Sequence, residues 1–204
     1  MTDLIARLGI MGGTFDPIHY GHLRIAEAAR EALGLSHVVF VPAGQPALVK
    51  SHQVSEAEHR AAMTALAVSS NPAFSMSRVE IERAGPSYAL DTVRALAGNA
   101  APGELYFITG ADALLDLHRW REPEALLREC HLVAVARPGV DMAAFREGGA
   151  GWLAGKVSLL PAPGLEISST GLRESVRAGR SIKYLTPELV EAYIARHNLY
   201  SPRH

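Results

Sequence analysis

The chain has 204 residues and a single cysteine, Cys130, so no disulfide can close within it. That fits a reducing cytoplasm, and a lone thiol in the stretch Glu129-Cys130-His131-Leu132-Val133 reads as a small buried hydrophobe. No apolar run approaches the roughly 20 residues that a membrane helix needs. The opening, Met1-Thr2-Asp3-Leu4-Ile5-Ala6-Arg7, lacks a signal-peptide core followed by a small-residue cleavage site. There is also no excess charge of either sign: 20 Lys and Arg stand against 21 Asp and Glu. Such a balance argues against bulk nucleic-acid binding driven by phosphate neutralisation. It leaves room for a small anionic substrate, which needs only a few local cations. A G-x-x-x-x-G-K-[ST] phosphate loop is absent, and Gly9-Ile10-Met11-Gly12-Gly13 does not have G-x-G-x-x-G spacing, so a Rossmann dehydrogenase is a weak reading. The default is a soluble cytoplasmic protein with neither a nucleic-acid nor a membrane partner. It is compatible with a homo-oligomer.

What is present is globular: 48% hydrophobic and 20% charged residues. The length fits one domain over residues 1–204 with a sizeable core. Apolar runs alternate with helical patterns. Leu4 to Met11 reads as a first strand, His22 to Leu33 as a helix ended by Gly34, and His37 to Pro42 as a second strand. Glu56 to Ser69 is a helix with Ser55 as its N-cap. Phe74 to Glu82 alternates, with Phe74, Met76 and Ile81 as candidate buried positions. Ser87 to Ala97 is helical, Glu104 to Gly110 a strand, and His131 to Ala136 a strand buried on both faces. Asp141 to Gly155, with four glycines, reads as a loose surface connection. A weaker strand covers Lys156 to Leu160, and two helices follow, the second opened by Thr186 as N-cap and Pro187 at the first helical position. This alternation predicts an α/β fold: one Rossmann-like, doubly wound domain, with a mostly parallel sheet and helices on both faces.

The most informative stretch is Gly12-Gly13-Thr14-Phe15-Asp16-Pro17-Ile18-His19-Tyr20-Gly21-His22. Gly12 and Gly13 fall at the C-terminal end of the first strand, where open α/β sheets bind ligands. The next helix begins at His22, and a first helical turn offers unpaired N–H groups to an anion. With Gly21 between them, the imidazoles of His19 and His22 can point into one cleft. They lack a nearby third ligand, so a zinc reading is poor. Far along the chain comes Ile167-Ser168-Ser169-Thr170-Gly171-Leu172-Arg173. With Thr170 as N-cap, Arg173 takes the third helical position, where an acidic residue is the usual preference, so an arginine there suits a facing anion.

The first stretch resembles the signature of the nucleotidylyltransferase superfamily, and the second matches its I-S-S-T-x-x-R element. Over nearly the whole chain the resemblance is closest to the bacterial nicotinate mononucleotide adenylyltransferase family. Supporting segments are Val41-Pro42-Ala43, Pro86-Ser87-Tyr88-Ala89-Leu90-Asp91-Thr92, Gly110-Ala111-Asp112 followed by Trp120, and Tyr184-Leu185-Thr186-Pro187. The resemblance implies transfer of the adenylyl group of ATP to nicotinate mononucleotide in NAD biosynthesis. It assigns catalytic roles to His19, His22 and Arg173. It assigns ATP contacts to Gly12, Gly13, Thr14, Phe15, Gly110, Asp112, Ser168, Ser169 and Thr170 besides those three. Lys50, Ser87, Tyr88 and Trp120 fall on the mononucleotide side, with Trp120 stacked on the nicotinate ring. Magnesium is expected with ATP's phosphates, without a dedicated protein site.

Two departures stand out. Where the family has Pro-Pro-His-Lys after the second strand, the chain has Pro46-Ala47-Leu48-Val49-Lys50-Ser51-His52, and Ala89 replaces the family's threonine. The alternatives are an adenylyltransferase with another acceptor, nicotinamide mononucleotide or phosphopantetheine, and a non-catalytic nucleotide sensor.

Overall fold

The computed structural model describes residues 5–47, 54–115, 117–136, 157–161 and 165–202, with Asp112 and Leu115 described in backbone only. The stretch from Asp141 to Gly155 lies outside these residues, as do Lys50 and His52.

One parallel sheet holds six strands: β1 (Leu8–Gly13), β2 (His37–Pro42), β4 (Phe74–Met76), β6 (Leu105–Gly110), β7 (His131–Ala136) and β8 (Val157–Pro161). Their spatial order is β4-β2-β1-β6-β7-β8. The chain winds outward one way from β1 through β2 to β4, then crosses to β6 and winds the other way. That is the doubly wound dinucleotide topology, with its switch point between β1 and β6. A separate parallel pair joins β3 (Gln45–Pro46) to β5 (Pro86–Ser87).

Alternate side chains of each strand enter opposite cores, as strand geometry requires. Leu8, Ile10, Val39, Val41, Phe107, Leu132 and Ala134 share one core with α4 (Ala89–Leu96) and α6 (Pro123–Glu129). Met11, Val38, Phe40, Ile108, Val133 and Val135 share the other. On that face lie α1 (Tyr20–Leu33), α2 (Ala57–Val68), α7 (Ser169–Arg177) and α8 (Glu188–Arg196). The shorter helices are α3 (Val79–Glu82) and α5 (Ala111–Leu115). No helix among the described residues is long and apolar enough to cross a membrane.

Several local expectations are corrected, each by a tertiary partner. β1 runs from Leu8 through Gly13, because its last two residues stay in register with Val41 and Pro42. α1 starts at Tyr20, with His19 as N-cap. Ser55 does not cap α2, whose N-cap is Glu56. Instead the Ser55 N–H donates to Asp16, and its carbonyl accepts from Arg60. Thr186 does not cap α8, which begins one residue after Pro187; its hydroxyl donates to the Ile18 carbonyl at 2.8 Å. The alternating stretch from Phe74 to Glu82 is strand only to Met76, then turns into α3. There the buried residue is Glu80, not Ile81, because the Thr92 hydroxyl donates to the Glu80 carboxylate.

Cys130 is buried, as expected, at the end of α6. Burial pushes its thiol up to about 12. The reactive thiolate is then about a thousandfold rarer near neutral pH than for an ordinary cysteine. Native protein at pH 8 should therefore react with a thiol reagent at least two decades more slowly than the urea-unfolded chain. Comparable rates would place Cys130 outside the core.

Candidate functional site

The β1–β6 switch point opens at the C-terminal ends of the strands, where Gly12, Gly13 and Gly110 lie. Gly12 and Gly13 are the last two residues of β1, and Gly110 ends β6 where α5 begins. Among the described residues, no atom lies within 4 Å of where a Gly110 Cβ would stand, so the end of β6 is open.

His19 has extended backbone, φ −151° and ψ 171°, and only 3% of its surface is exposed. Its ring stacks on that of His22, with centroids 3.8 Å apart and planes 27° from parallel. The His19 N–H donates to Nδ1 of His22 at 3.3 Å, so Nε2 is the nitrogen left to carry the ring proton of His22. Phe15 meets the His22 ring edge-on at 5.1 Å. Gly21 makes the stack possible: a Cβ there would stand 2.9 Å from His19 Nδ1 and 3.4 Å from the Ile167 carbonyl. Both imidazoles thus sit at the first turn of α1, His19 as its N-cap and His22 three residues on.

The loop carrying these histidines is held by the far end of the chain. Three successive carbonyls accept side-chain donors: Asp16 from Arg173 Nη1 at 2.7 Å, Pro17 from Ser169 Oγ at 2.9 Å, and Ile18 from Thr186 Oγ1 at 2.8 Å. The Asp16 carboxylate is 2% exposed; Oδ1 accepts from the Tyr200 hydroxyl at 2.7 Å and Oδ2 from the Ser55 N–H at 3.2 Å. Burial, then the charge of Asp16, pushes the Tyr200 phenol above its ordinary range, so it remains a donor.

Ser168, not Thr170, is the N-cap of α7; its Oγ accepts from the Gly171 N–H at 3.1 Å. The cap falls there because Ser168 has the extended backbone, φ −129°. Thr170 sits inside the helix and accepts from Arg173 Nη2 at 3.0 Å. Arg173 is therefore in the second turn. It is 4% exposed, and its buried Nε has no hydrogen-bond partner among the described residues. A guanidinium so placed keeps donor capacity beside the histidine loop.

Ser87, Tyr88 and Trp120 are the described residues that the sequence assigned to the acceptor side. Ser87 Oγ accepts from the Gly44 N–H at 3.0 Å. Tyr88 is the N-cap residue of α4, and its ring lies under the Arg121 guanidinium at 4.9 Å. Arg121 also approaches Asp91 and Glu122, at 3.4 and 3.5 Å. Trp120 is half-buried rather than fully exposed, edge-on to Phe107 at 5.9 Å. Phe107 in turn lies 3.1 Å from where a Gly12 Cβ would stand, so Trp120, Phe107 and Gly12 form one packed row from acceptor side to phosphate side. The side chain of Asp112 and all of Lys50 lie outside the description.

Sequence reasoning missed Asp16, Gly44, Tyr200 and Arg60. Arg60 is 1% exposed and donates to three carbonyls: Ser55 at 2.9 Å, Thr14 at 3.0 Å and Gly44 at 2.9 Å. One signal was present: Arg60 falls in register with the buried stripe Met63, Thr64, Ala67 and Val68 of α2, where an arginine is out of place unless bonded. Both Asp16 oxygens are engaged by protein donors, and no group of three or more His, Cys, Asp or Glu among the described residues is gathered to hold a metal.

The profile of the cytidylyltransferase-like family matches residues 10–175. A relative from Moorella thermoacetica, named "Probable nicotinate-nucleotide adenylyltransferase", is 49% identical over 97% of this chain and 93% of its own length. One of the same name from Leifsonia xyli is 46% identical over 95% of this chain and 94% of its own. Among solved structures, the Plasmodium falciparum nicotinic acid mononucleotide adenylyltransferase complexed with NaAD superposes with a TM-score of 0.71 at 23% identity, over 96% of this chain and 97% of that one. That likeness is one of fold.

The Tyr200–Asp16 bond carries a stability consequence. Tyr200→Phe leaves a buried carboxylate one donor short and should cost about 1.5–3 kcal/mol of unfolding free energy in urea melts. A cost below about 0.5 kcal/mol would mean that water replaces the phenol.

Proposed function

The chain belongs to the cytidylyltransferase-like family and, within it, to the nicotinate-nucleotide adenylyltransferases, and from that premise we propose that it transfers the adenylyl group of ATP to nicotinate mononucleotide. The products are nicotinate adenine dinucleotide and pyrophosphate. A phosphate oxygen of the mononucleotide attacks the α-phosphorus of ATP. The bond from that phosphorus to the bridging oxygen of the β-phosphate breaks, and pyrophosphate leaves with the electron pair. No protein nucleophile is needed. The protein has to align two anions and meet the charge that builds on the phosphoryl group and the leaving group.

The observation that supports this reading best is the stacked pair His19 and His22 over the N-terminus of α1, with Arg173 bonded to the same loop. In this reading the two imidazoles and the amides of Gly12, Gly13, Thr14 and Phe15 receive the α-phosphate. Ser168, Ser169, Thr170 and Arg173, at the start of α7, receive the β- and γ-phosphates. Gly110 and Asp112, following β6, take the adenosine. Ser87, Tyr88 and Trp120 hold the pyridine end, with Lys50 toward its phosphate. Magnesium enters bound to ATP's phosphates and water, where it screens the triphosphate charge.

Purified protein with magnesium, ATP and nicotinate mononucleotide should release pyrophosphate, and faster than with nicotinamide mononucleotide or phosphopantetheine as acceptor. No release with any acceptor would leave a nucleotide sensor; preference for another acceptor would reassign the substrate. His19→Ala should keep its far-UV spectrum and melt, yet lose about 10²–10³ in kcat, the usual effect of removing one aimed donor. An unchanged kcat would remove His19 from the reaction.

A further inference from the structure

Arg60 lies outside every role assigned above, yet its side chain makes three hydrogen bonds from a fully buried position. Its acceptors are neutral carbonyls from three segments. Thr14 belongs to the histidine loop after β1. Gly44 belongs to the connection between β2 and β3. Ser55 leads into α2 and donates its own N–H to Asp16. Burying the guanidinium is costly, and the nearby buried carboxylates of Asp16 and Glu80 offset only part of that cost. A neutral amide could serve one or two of the carbonyl oxygens at less cost. What only a guanidinium supplies is a rigid planar fork that fixes several acceptors at set angles.

The Gly44 peptide shows what the fork controls. Its carbonyl is held by Arg60 Nη2, and its N–H is held by Ser87 Oγ. A Cβ at Gly44 would stand 2.1 Å from the Glu80 carbonyl oxygen, so this peptide is pressed against α3 with no room for a side chain. The connection it anchors pairs with Pro86 and Ser87 through Gln45 and Pro46. Besides the backbone bond from the Ala43 N–H to the Gly13 carbonyl, at 2.8 Å, Arg60 ties the loop on the phosphate side to the loop on the acceptor side.

We infer that Arg60 is a positioning residue that sets the register between the ATP-side loop at Thr14 and the acceptor-side loop at Gly44, and thereby the approach of the two reacting phosphates. The inference rests on the adenylyl-transfer reading. It assigns Arg60 no contact with either substrate. Each loop keeps its own ligand contacts when the fork is lost, but the two no longer meet in line. A displacement of about 1 Å between reacting groups can cost on the order of 10² in rate.

The test compares wild type with Arg60→Lys, which keeps the charge but loses the fork, and Arg60→Gln, which keeps two donors without the charge. Titration with ATP alone and with nicotinate mononucleotide alone should give Kd values within about threefold of wild type. Measured well below the melting temperature, kcat should fall about 30-fold or more in Arg60→Lys, with KM values little changed. Arg60→Ala should regain part of its lost kcat when guanidinium or methylguanidinium ion is supplied. Wild-type kcat in the folded variants, or a loss confined to KM, would overturn the inference, and so would failure of all three variants to fold, which would make the role fold-wide. If wild type itself releases no pyrophosphate, the adenylyl-transfer reading fails instead, and the two failures are told apart.

Discussion

The buried carboxylate of Asp16 is the constraint on which the site depends. It sits in the loop between β1 and α1, where the histidines are carried, and receives one donor from Tyr200 near the end of the chain and one from the residue leading into α2. Its own carbonyl and the next two are taken by Arg173, Ser169 and Thr186. A loop so held can keep Phe15 at φ 50°, a left-handed conformation that costs a non-glycine residue about 1–3 kcal/mol and persists only when the surroundings over-determine it. Phe15 in that conformation is 2% exposed and lies edge-on to His22. The order of the histidine loop is thus set by contacts from the far end of the chain.

The same logic explains why the two halves of the site belong together. The crevice is where the sheet changes winding direction, so β1 and β6 present their glycine ends side by side. Gly12 leaves room for the Phe107 ring, and that ring supports Trp120. Beneath the loops, Arg60 joins Thr14 to Gly44. In the proposed reaction it is the fixed spacing of the two halves that lets one phosphate reach another.

The fold was legible where local pattern and tertiary demand agree. β2 and β7 match their expected bounds because a short, valine-rich apolar run suits a strand buried on both faces. The two motifs singled out in the sequence meet in the structure: Ser169 and Arg173 bond directly to the Asp16–Pro17 segment. Hydroxyl residues were misread wherever a distant carbonyl or carboxylate competed with a local cap. Thr186 before Pro187 has the pattern of a cap, yet the Ile18 carbonyl takes its proton. Ser168 rather than Thr170 caps α7, a difference of backbone angle that composition does not encode. Asp16 and Arg60 were overlooked for a related reason. A charged residue in a loop or on a helix has a solvated reading by default, and only the folded chain shows which carbonyls surround it.

In the proposed reaction the diphosphate of the product forms in the switch-point crevice, beside the stapled histidine loop. A crystal structure of the protein with nicotinate adenine dinucleotide bound tests it most directly. The diphosphate should lie within about 3 Å of an imidazole nitrogen of His19 or His22, with the pyridine ring against Trp120. A dinucleotide seated instead in the separate groove lined by His37, Ser75 and Arg78 would contradict it.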